Sequence, residues 1–153
     1  MIFHSFGCVL GPLVTAVALL SAAAAQAGPL EETNKKIVLE FMEVVLNGRN
    51  ADAAPKYVVD NFIQHNPRLP DGVAALQGFV RMLQQSAPQA RSTVKRAVAE
   101  GDLVVLHSLN QRNPEDRGMA QVEIYRLENG KIAEHWDVFQ PIQEFAVNSN
   151  GML

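Results

Sequence analysis

The spacing of apolar residues changes once along the chain, near Pro88, and this change limits the folds open to it. Before Pro88, apolar residues recur every three or four positions, which predicts helices at residues 34–47, at 51–58, and from an Asp71 cap to Pro88. After Pro88 the pattern alternates, which predicts strands at 91–99, 103–109, 118–127 and 131–139. Helices followed by an antiparallel meander predict an α+β domain whose helices cover one face of a curved sheet.

Residues 1–27 predict a secretory signal. They contain no Lys, Arg, Asp or Glu, their apolar core runs from Val9 to Leu20, and small residues at 25 and 27 suit a signal peptidase. Cleavage after Ala27 leaves residues 28–153 as the domain. The competing interpretation is an uncleaved anchor, but about 12 apolar residues are short for a membrane span of about 20. We expect a periplasmic or secreted protein, not bound to membrane after cleavage.

Composition argues against several partners and sites. The chain has 13 Lys+Arg and 16 Asp+Glu, and its formal net charge of −3 includes no basic run for nucleic acid. Its single cysteine, Cys8, lies in the predicted signal, which excludes a disulfide framework and a Cys-rich zinc site. His65, His107 and His135 lie in separate segments without the close spacing of metal-binding imidazoles, so we expect no metal.

The dipeptide Asn129-Gly130 predicts the register of the last hairpin, because a two-residue type I′ turn fixes both strands. Counting outward from the turn places Ile124 opposite His135. It also places Val122 opposite Asp137, and opposed residues share a face. Apart from His135 and Asp137 this face is apolar, and we expect it to line the interior. Its apolar residues expected to contact a ligand are Val122, Ile124 and Phe139.

The other face of the predicted hairpin mixes large apolar side chains with charges, as oligomer interfaces do. Tyr125, Trp136 and Val138 lie on this face. Glu123 lies there too, and it would approach the site only if the register slipped by one residue. We expect a homodimer through this face, and a purely structural dimer is one interpretation of the protein.

Two further histidines are candidates for the interior. A turn at Gly101-Asp102 places His107 opposite Arg96, on the more apolar face of that hairpin. His65 ends a short extended segment before Asn66-Pro67, where alternation gives no direction. The face predicted for His107 also carries Val94, Val98, Leu103, Val105 and Leu109.

A carboxylate and an imidazole in an apolar cavity can act as an acid–base pair, because burial raises the pKa of the carboxyl group and the imidazole can share its proton. Such a pair can move a proton from a carbon beside a carbonyl group to the oxygen formed. Asp137 is the candidate base and His135 its partner. The same two residues could instead form a buried structural pair, or both could face water.

Several segments resemble the SnoaL-like polyketide cyclase family of the nuclear-transport-factor-2-like (NTF2-like) superfamily. The most specific run is Glu134-His135-Trp136-Asp137-Val138. Further matching runs lie at residues 63–67, 118–120, 124–132 and 148–152, and the similarity covers residues 34–153.

The resemblance implies an α+β cone of three helices on a strongly curved antiparallel sheet, with a deep apolar cavity between them. It also implies a cofactor-free protein that is often dimeric through the sheet. The named cyclases close a ring by aldol condensation, with an aspartate and histidines moving protons. Carried over by position, these roles fall on Asp137, His135 and His65. His107 sits where a strand histidine is common, and Glu123 where relatives often have Asp.

We therefore predict an exported acid–base enzyme that acts on a small apolar organic molecule. Asp137 serves as general base, His135 as its partner, and His65 and His107 position or polarise a carbonyl group. The alternative is a non-catalytic module that binds a small ligand unchanged. Because polyketide assembly is cytoplasmic, export favours a different carbonyl compound.

Overall fold

The computed structural model describes residues 28–153, and the predicted signal lies outside this range. Its helices are α1 (Pro29–Phe41), α2 (Ala54–Tyr57) and α3 (Val73–Ser86). A π-helical turn (Met42–Asn47) continues α1, and a 3₁₀ turn (Ala51–Ala53) precedes α2. Its strands are β1 (Val58–Gln64), β2 (Arg91–Glu100), β3 (Leu103–Gln111), β4 (Met119–Glu128) and β5 (Lys131–Pro141). Within residues 28–153, each helix is too short or too polar to cross a membrane.

The five strands form one sheet in the order β1-β5-β4-β3-β2. The predicted meander of β2 to β5 is confirmed, with antiparallel pairing throughout. Strand β1 pairs in parallel with β5 and begins at Val58, which the sequence pattern had assigned to the end of a helix. The helices pack on one face of this sheet, as predicted for an α+β domain, and bury a core that includes Val38, Phe41, Val45, Val80 and Leu106.

The last hairpin contains a β-bulge that shifts the register predicted from its turn. Next to the turn the predicted pairing holds, with Leu127 opposite Ile132. Farther out, Arg126 lies opposite Glu134, so Ala133 is an extra residue in β5. Ile132 and Ala133 are therefore both buried, although they are neighbours in one strand. Because β5 has one extra residue, each residue of β4 farther from the turn faces the opposite side of the sheet from the one predicted.

The bulge makes part of the predicted ligand-binding wall wrong. Val122 and Ile124 pair with Val138 and Trp136 and lie with them on the outer face of the sheet, away from the helices. Tyr125, predicted for the outer face, is buried inside. The shift occurs because the pleat has a period of two, so a single extra residue exchanges the two faces.

The inner face of β3 is also the opposite of the one predicted. His107 pairs with Arg96 as predicted, but it lies on the outer face with Leu103, and both are partly exposed. Val104 and Leu106 are buried under the helices instead. Both faces of this strand are apolar, so alternation alone could not tell which one the helices would cover.

The assignment of the inner face of β3 can be tested with two leucines on the same strand. Leu106 is 0% exposed and Leu103 is 38% exposed. We expect Leu106→Ala to lower the free energy of unfolding by about 3 kcal/mol, since it removes packed methyl groups and leaves a cavity. The matched control Leu103→Ala should cost less than about 1 kcal/mol. Urea denaturation measures both, and equal losses would contradict this assignment.

Candidate active site

A cavity of about 320 Å³ lies between the helices and the inner face of the sheet. This volume suits a small organic molecule. Its apolar wall includes Phe41, Met42, Phe62, Leu76, Phe79 and Leu83. Its polar residues include Gln64, Asn66, Gln121, Glu123, His135 and Asp137.

Two carboxyl groups lie side by side at this cavity. Glu123 on β4 and Asp137 on β5 are directly paired across the strands, and both line the cavity. Glu123 is only 3% exposed. Burial raises the pKa of Glu123 to about 7, and the charge of Asp137 adds to the rise. The Tyr125 hydroxyl opposes this rise by donating a hydrogen bond of 2.8 Å to Glu123 Oε1.

Asp137 is held by Asn66, which follows strand β1. The Nδ2 group of Asn66 donates to both carboxylate oxygens of Asp137, at 2.9 and 3.0 Å. The Oδ1 atom of Asn66 accepts from the backbone N–H of Arg68 at 3.0 Å, which identifies the oxygen of this amide. Because Asn66 offers only N–H groups to Asp137, the geometry fits the ionised carboxylate.

The hydrogen bonds of His135 identify its tautomer. Gln64 Oε1 accepts the backbone N–H of Asn66 at 2.9 Å, so this atom is the amide oxygen. The same oxygen lies 3.0 Å from His135 Nδ1, which therefore carries the hydrogen. His135 Nε2 is left with a free lone pair, 3.9 Å from Glu123 Oε1. Burial lowers the pKa of His135 to about 4, so the ring is neutral at neutral pH.

The two carboxyl groups therefore have different surroundings, since burial raises the pKa of Glu123 to about 7 whereas Asp137 accepts two N–H···O contacts from Asn66. Glu123 is mostly a neutral acid, whereas the geometry of Asp137 fits a carboxylate. A neutral acid next to a carboxyl group that accepts only N–H donors is an arrangement that can supply acid and base roles in one site. Within residues 28–153, no group of three or more His, Cys, Asp or Glu side chains has the arrangement needed to hold a metal ion.

The structure brings together only part of the predicted catalytic set. His135, Asp137 and Phe139 line the cavity as predicted. His65 does not line it: its ring stacks on Trp136 at a centroid distance of 4.4 Å, and its Nε2 lies 3.0 Å from Glu134. These contacts hold the imidazole of His65 away from the cavity.

His107 is also outside the cavity, on the outer face of the sheet, with Nδ1 3.1 Å from Arg96. His65 and His107, predicted to position a substrate carbonyl, therefore do not line this cavity. His107 was misplaced because both faces of its strand are apolar. His65 had no alternation pattern to orient it.

Sequence reasoning missed several residues of the site. Glu123 and Tyr125 were assigned outward because the bulge was not anticipated. The signal that could have located the bulge is the apolar pair Ile132-Ala133, since two neighbouring residues of a regular strand cannot both face the core. Asn66 has no pattern that links it to Asp137, because this contact joins residues that are far apart in the chain.

A model of the SnoaL-like polyketide cyclase family matches residues 36–145. The chain belongs to this family. The predicted resemblance is thus confirmed over most of the described domain, and the SnoaL-like fold accounts for helices packed on one face of a five-stranded sheet.

Solved structures show the same fold. A SnoaL-like polyketide cyclase from Agrobacterium tumefaciens has a TM-score of 0.60 and 16% identity, over 70% of this chain and 91% of that chain. An NTF2-like protein of unknown function from Cytophaga hutchinsonii has a TM-score of 0.60 and 26% identity, over 71% of this chain and 90% of that chain. No functionally curated protein matches the chain significantly.

The buried carboxyl group predicts a pH-dependent difference in stability between the wild type and Glu123→Gln. The pKa of Glu123 rises from 4.5 to about 7 on folding, so ionisation costs the folded protein. Glutamine keeps the acceptor for Tyr125 but does not ionise. We expect the wild type to lose stability relative to the variant from pH 4.5 to about 7, by on the order of 3 kcal/mol in total.

Urea denaturation across this pH range measures the difference, which should level off at higher pH. His135, whose pKa is lowered by burial, adds an opposite slope below neutral pH, but it is present in both proteins. The exposed residue Glu128 provides the control, because Glu128→Gln should show no comparable pH-dependent gain. Parallel stability curves for the wild type and Glu123→Gln would contradict the buried neutral acid.

Proposed function

We propose that this SnoaL-like protein is a cofactor-free acid–base enzyme that acts on a small apolar carbonyl compound. The proposal is carried by the cross-strand pair of Glu123 and Asp137 at one apolar cavity, with a neutral His135 beside it. Membership of a cyclase family supports this reaction class. Fold and family do not select a substrate.

In the proposed reaction, the Asp137 carboxylate removes a proton from a carbon next to a carbonyl group. The C–H electron pair becomes the C=C bond of an enolate, and the carbonyl π pair moves to oxygen. The proton on Asp137 then returns to another carbon of the conjugated system, which completes an isomerisation. Alternatively, the enolate carbon attacks a second carbonyl group of the same molecule, and the proton goes to the new alkoxide oxygen.

A proton on Glu123 lowers the free-energy cost of the negative charge that forms on the enolate. Asp137 becomes neutral when it takes the substrate proton, so with Glu123 also protonated the enolate forms beside two neutral carboxyl groups and not beside a Glu123 carboxylate. Apolar walls strengthen electrostatic effects by excluding water. His135, neutral and fixed through Gln64, packs against Tyr125 at a centroid distance of 4.8 Å and positions the hydroxyl that contacts Glu123.

The proposal includes export, which rests on the composition of residues 1–27. A periplasmic or secreted enzyme would meet a diffusible carbonyl compound rather than a chain held on a cytoplasmic synthase. The proposed substrate is therefore free and small, in keeping with a cavity of about 320 Å³.

Asp137→Asn should abolish enolisation while retaining the fold. Asparagine is almost isosteric but cannot accept a proton, and general-base contributions are about 10²–10⁴-fold. We expect the wild type to catalyse deuterium exchange at the carbons next to the carbonyl of 2-tetralone in D₂O, measured by NMR. The rate should fall by about 10²-fold or more in Asp137→Asn. Asp60→Asn, at an exposed position on β1, is the matched control and should exchange normally.

The alternative function is a module that binds its ligand unchanged. The unpartnered buried atoms Glu123 Oε2 and His135 Nε2 favour it, since a bound polar group could contact them after a small side-chain movement. Saturable binding of 2-tetralone with exchange at the buffer rate would favour this module over the enzyme. Exchange that is equally fast in the wild type and Asp137→Asn would refute Asp137 as the base.

We further propose that the protein forms a homodimer through the outer face of the sheet. No helix of the described residues packs on this face, and several of its apolar side chains are accessible. Val138 is 65% exposed there, next to Trp136. Tyr125, first predicted for this interface, lies inside the domain and takes no part. The outer face carries Val98, Val105, Val122, Ile124, Trp136 and Val138.

Val138→Glu should weaken this dimer, because a charge would be buried against an apolar partner surface. We expect a shift toward monomer in sedimentation velocity at micromolar concentration. Val147→Glu makes the same replacement at a fully exposed position after the last strand and should not change the assembly. A dimer that survives Val138→Glu, or a monomeric wild type, would contradict this interface.

A further inference from the structure

We propose that the molecule bound in this cavity is an apolar organic anion, and that Arg68 binds its carboxylate or equivalent group. The inference rests on the proposed function for the location of the site. It adds the chemical class of the ligand, which neither the fold nor the family provides.

The charges that line the cavity have the opposite sign to the chain as a whole. The chain carries a formal net charge of −3. The basic residues that line the cavity are Arg49, Arg68 and Arg91, and the acidic residues are Asp137 and the buried Glu123. Arg91 is paired with Glu43, so the comparison is between Arg49 and Arg68 and the two carboxyl groups, of which the buried Glu123 is mostly neutral below about pH 7; the arginines are then in excess. A cavity that is cationic in an acidic protein favours an anionic ligand.

The three arginines are not equally available to a ligand. The guanidinium of Arg49 donates to the backbone carbonyl groups of Leu46 and Ala90, so it stabilises the chain around the cavity. The guanidinium of Arg91 pairs with Glu43 at 2.9 Å. Both cations are therefore engaged by the protein itself.

Arg68 differs from these two arginines. Among residues 28–153, its guanidinium has no hydrogen-bonding partner and no ion-pair partner. The side chain is exposed and lines the cavity together with Leu69. An unpaired guanidinium offers two parallel N–H groups that match a carboxylate.

The backbone links Arg68 to the proposed base. The N–H of Arg68 donates to Asn66 Oδ1, and Nδ2 of the same Asn66 donates to Asp137. One side chain thus fixes both the carboxylate of Asp137 and the backbone from which Arg68 extends. A ligand anchored by its anionic group at Arg68 would place its apolar body against Leu69 and Phe79, with a carbon of that body near Asp137. A keto acid has this arrangement of groups.

The ligand class can be tested by calorimetric titration of the purified protein with 2-naphthoate and its neutral analogue 2-naphthamide. We expect the wild type to bind naphthoate more tightly, and added salt to weaken naphthoate only. Arg68→Gln should weaken naphthoate binding roughly fivefold, a modest loss because the guanidinium is exposed, and leave naphthamide unchanged. Arg68→Lys keeps the charge but not the paired N–H groups, so its affinity should be intermediate.

Arg81→Gln is the matched control, because Arg81 is an exposed arginine on α3 that pairs with Asp52 and does not line the cavity. It should bind both compounds as the wild type does. Equal affinity of the wild type for both compounds, equal losses for both in Arg68→Gln, or no binding of either would overturn the inference.

The outcomes separate this inference from the proposed function. Asp137→Asn should still bind naphthoate at least as tightly as the wild type, because one negative charge is removed. A selective loss in Arg68→Gln without tetralone exchange by the wild type would support an anion-binding module and refute the enzyme. Tetralone exchange that depends on Asp137, without a preference for naphthoate, would support the enzyme and refute the anion.

Discussion

The site depends on one irregular position in the sheet, the bulge at Ala133. In a regular hairpin, Glu123 and Tyr125 would face outward, and Asp137 would have Val122 as its neighbour. The extra residue turns Glu123 and Tyr125 inward, where a carboxyl group meets Asp137 across the strands. Bulges redirect side chains in this way without changing the topology of a sheet. The acid–base character of the cavity therefore originates in a backbone feature of β5.

Burial then gives the two carboxyl groups different properties. Glu123 lies under the helices with Tyr125 as its hydrogen-bond donor, whereas Asp137 contacts an amide donor from the segment after β1. Since desolvation penalises the charged form, burial retains a proton on Glu123. Apolar packing and acid–base chemistry are thus coupled, because the same residues that bury the core adjust the protonation of the site.

The parallel edge strand β1 supplies the second half of the site. Its last residue, Gln64, fixes the tautomer of His135, and Asn66 just beyond it holds Asp137. The side chain of Asp71, predicted to cap α3, instead accepts the backbone N–H of Gln64 at 2.8 Å, and α3 begins at Val73. These contacts connect the strand that carries the base to the segment that carries Arg68.

The sequence alone determined the helical first half, the meander of β2 to β5 and the family, and it predicted His135 and Asp137 in the interior. It did not predict strand β1 or the residues that lie opposite His135 and Asp137. Local periodicity indicates the helices and the meander, because it depends on residues close together in the chain, and short motifs indicate the family. Only the tertiary structure decided that Glu123 belongs to the site and that His65, His107, Val122 and Ile124 do not. Those outcomes depend on a one-residue bulge, on which apolar face the helices cover, and on contacts such as Asn66 with Asp137. The covered face and the contact of Asn66 with Asp137 are set by packing between distant segments and have no local signal. The bulge has one, the neighbouring apolar pair Ile132-Ala133, but a register counted from the turn alone does not include it.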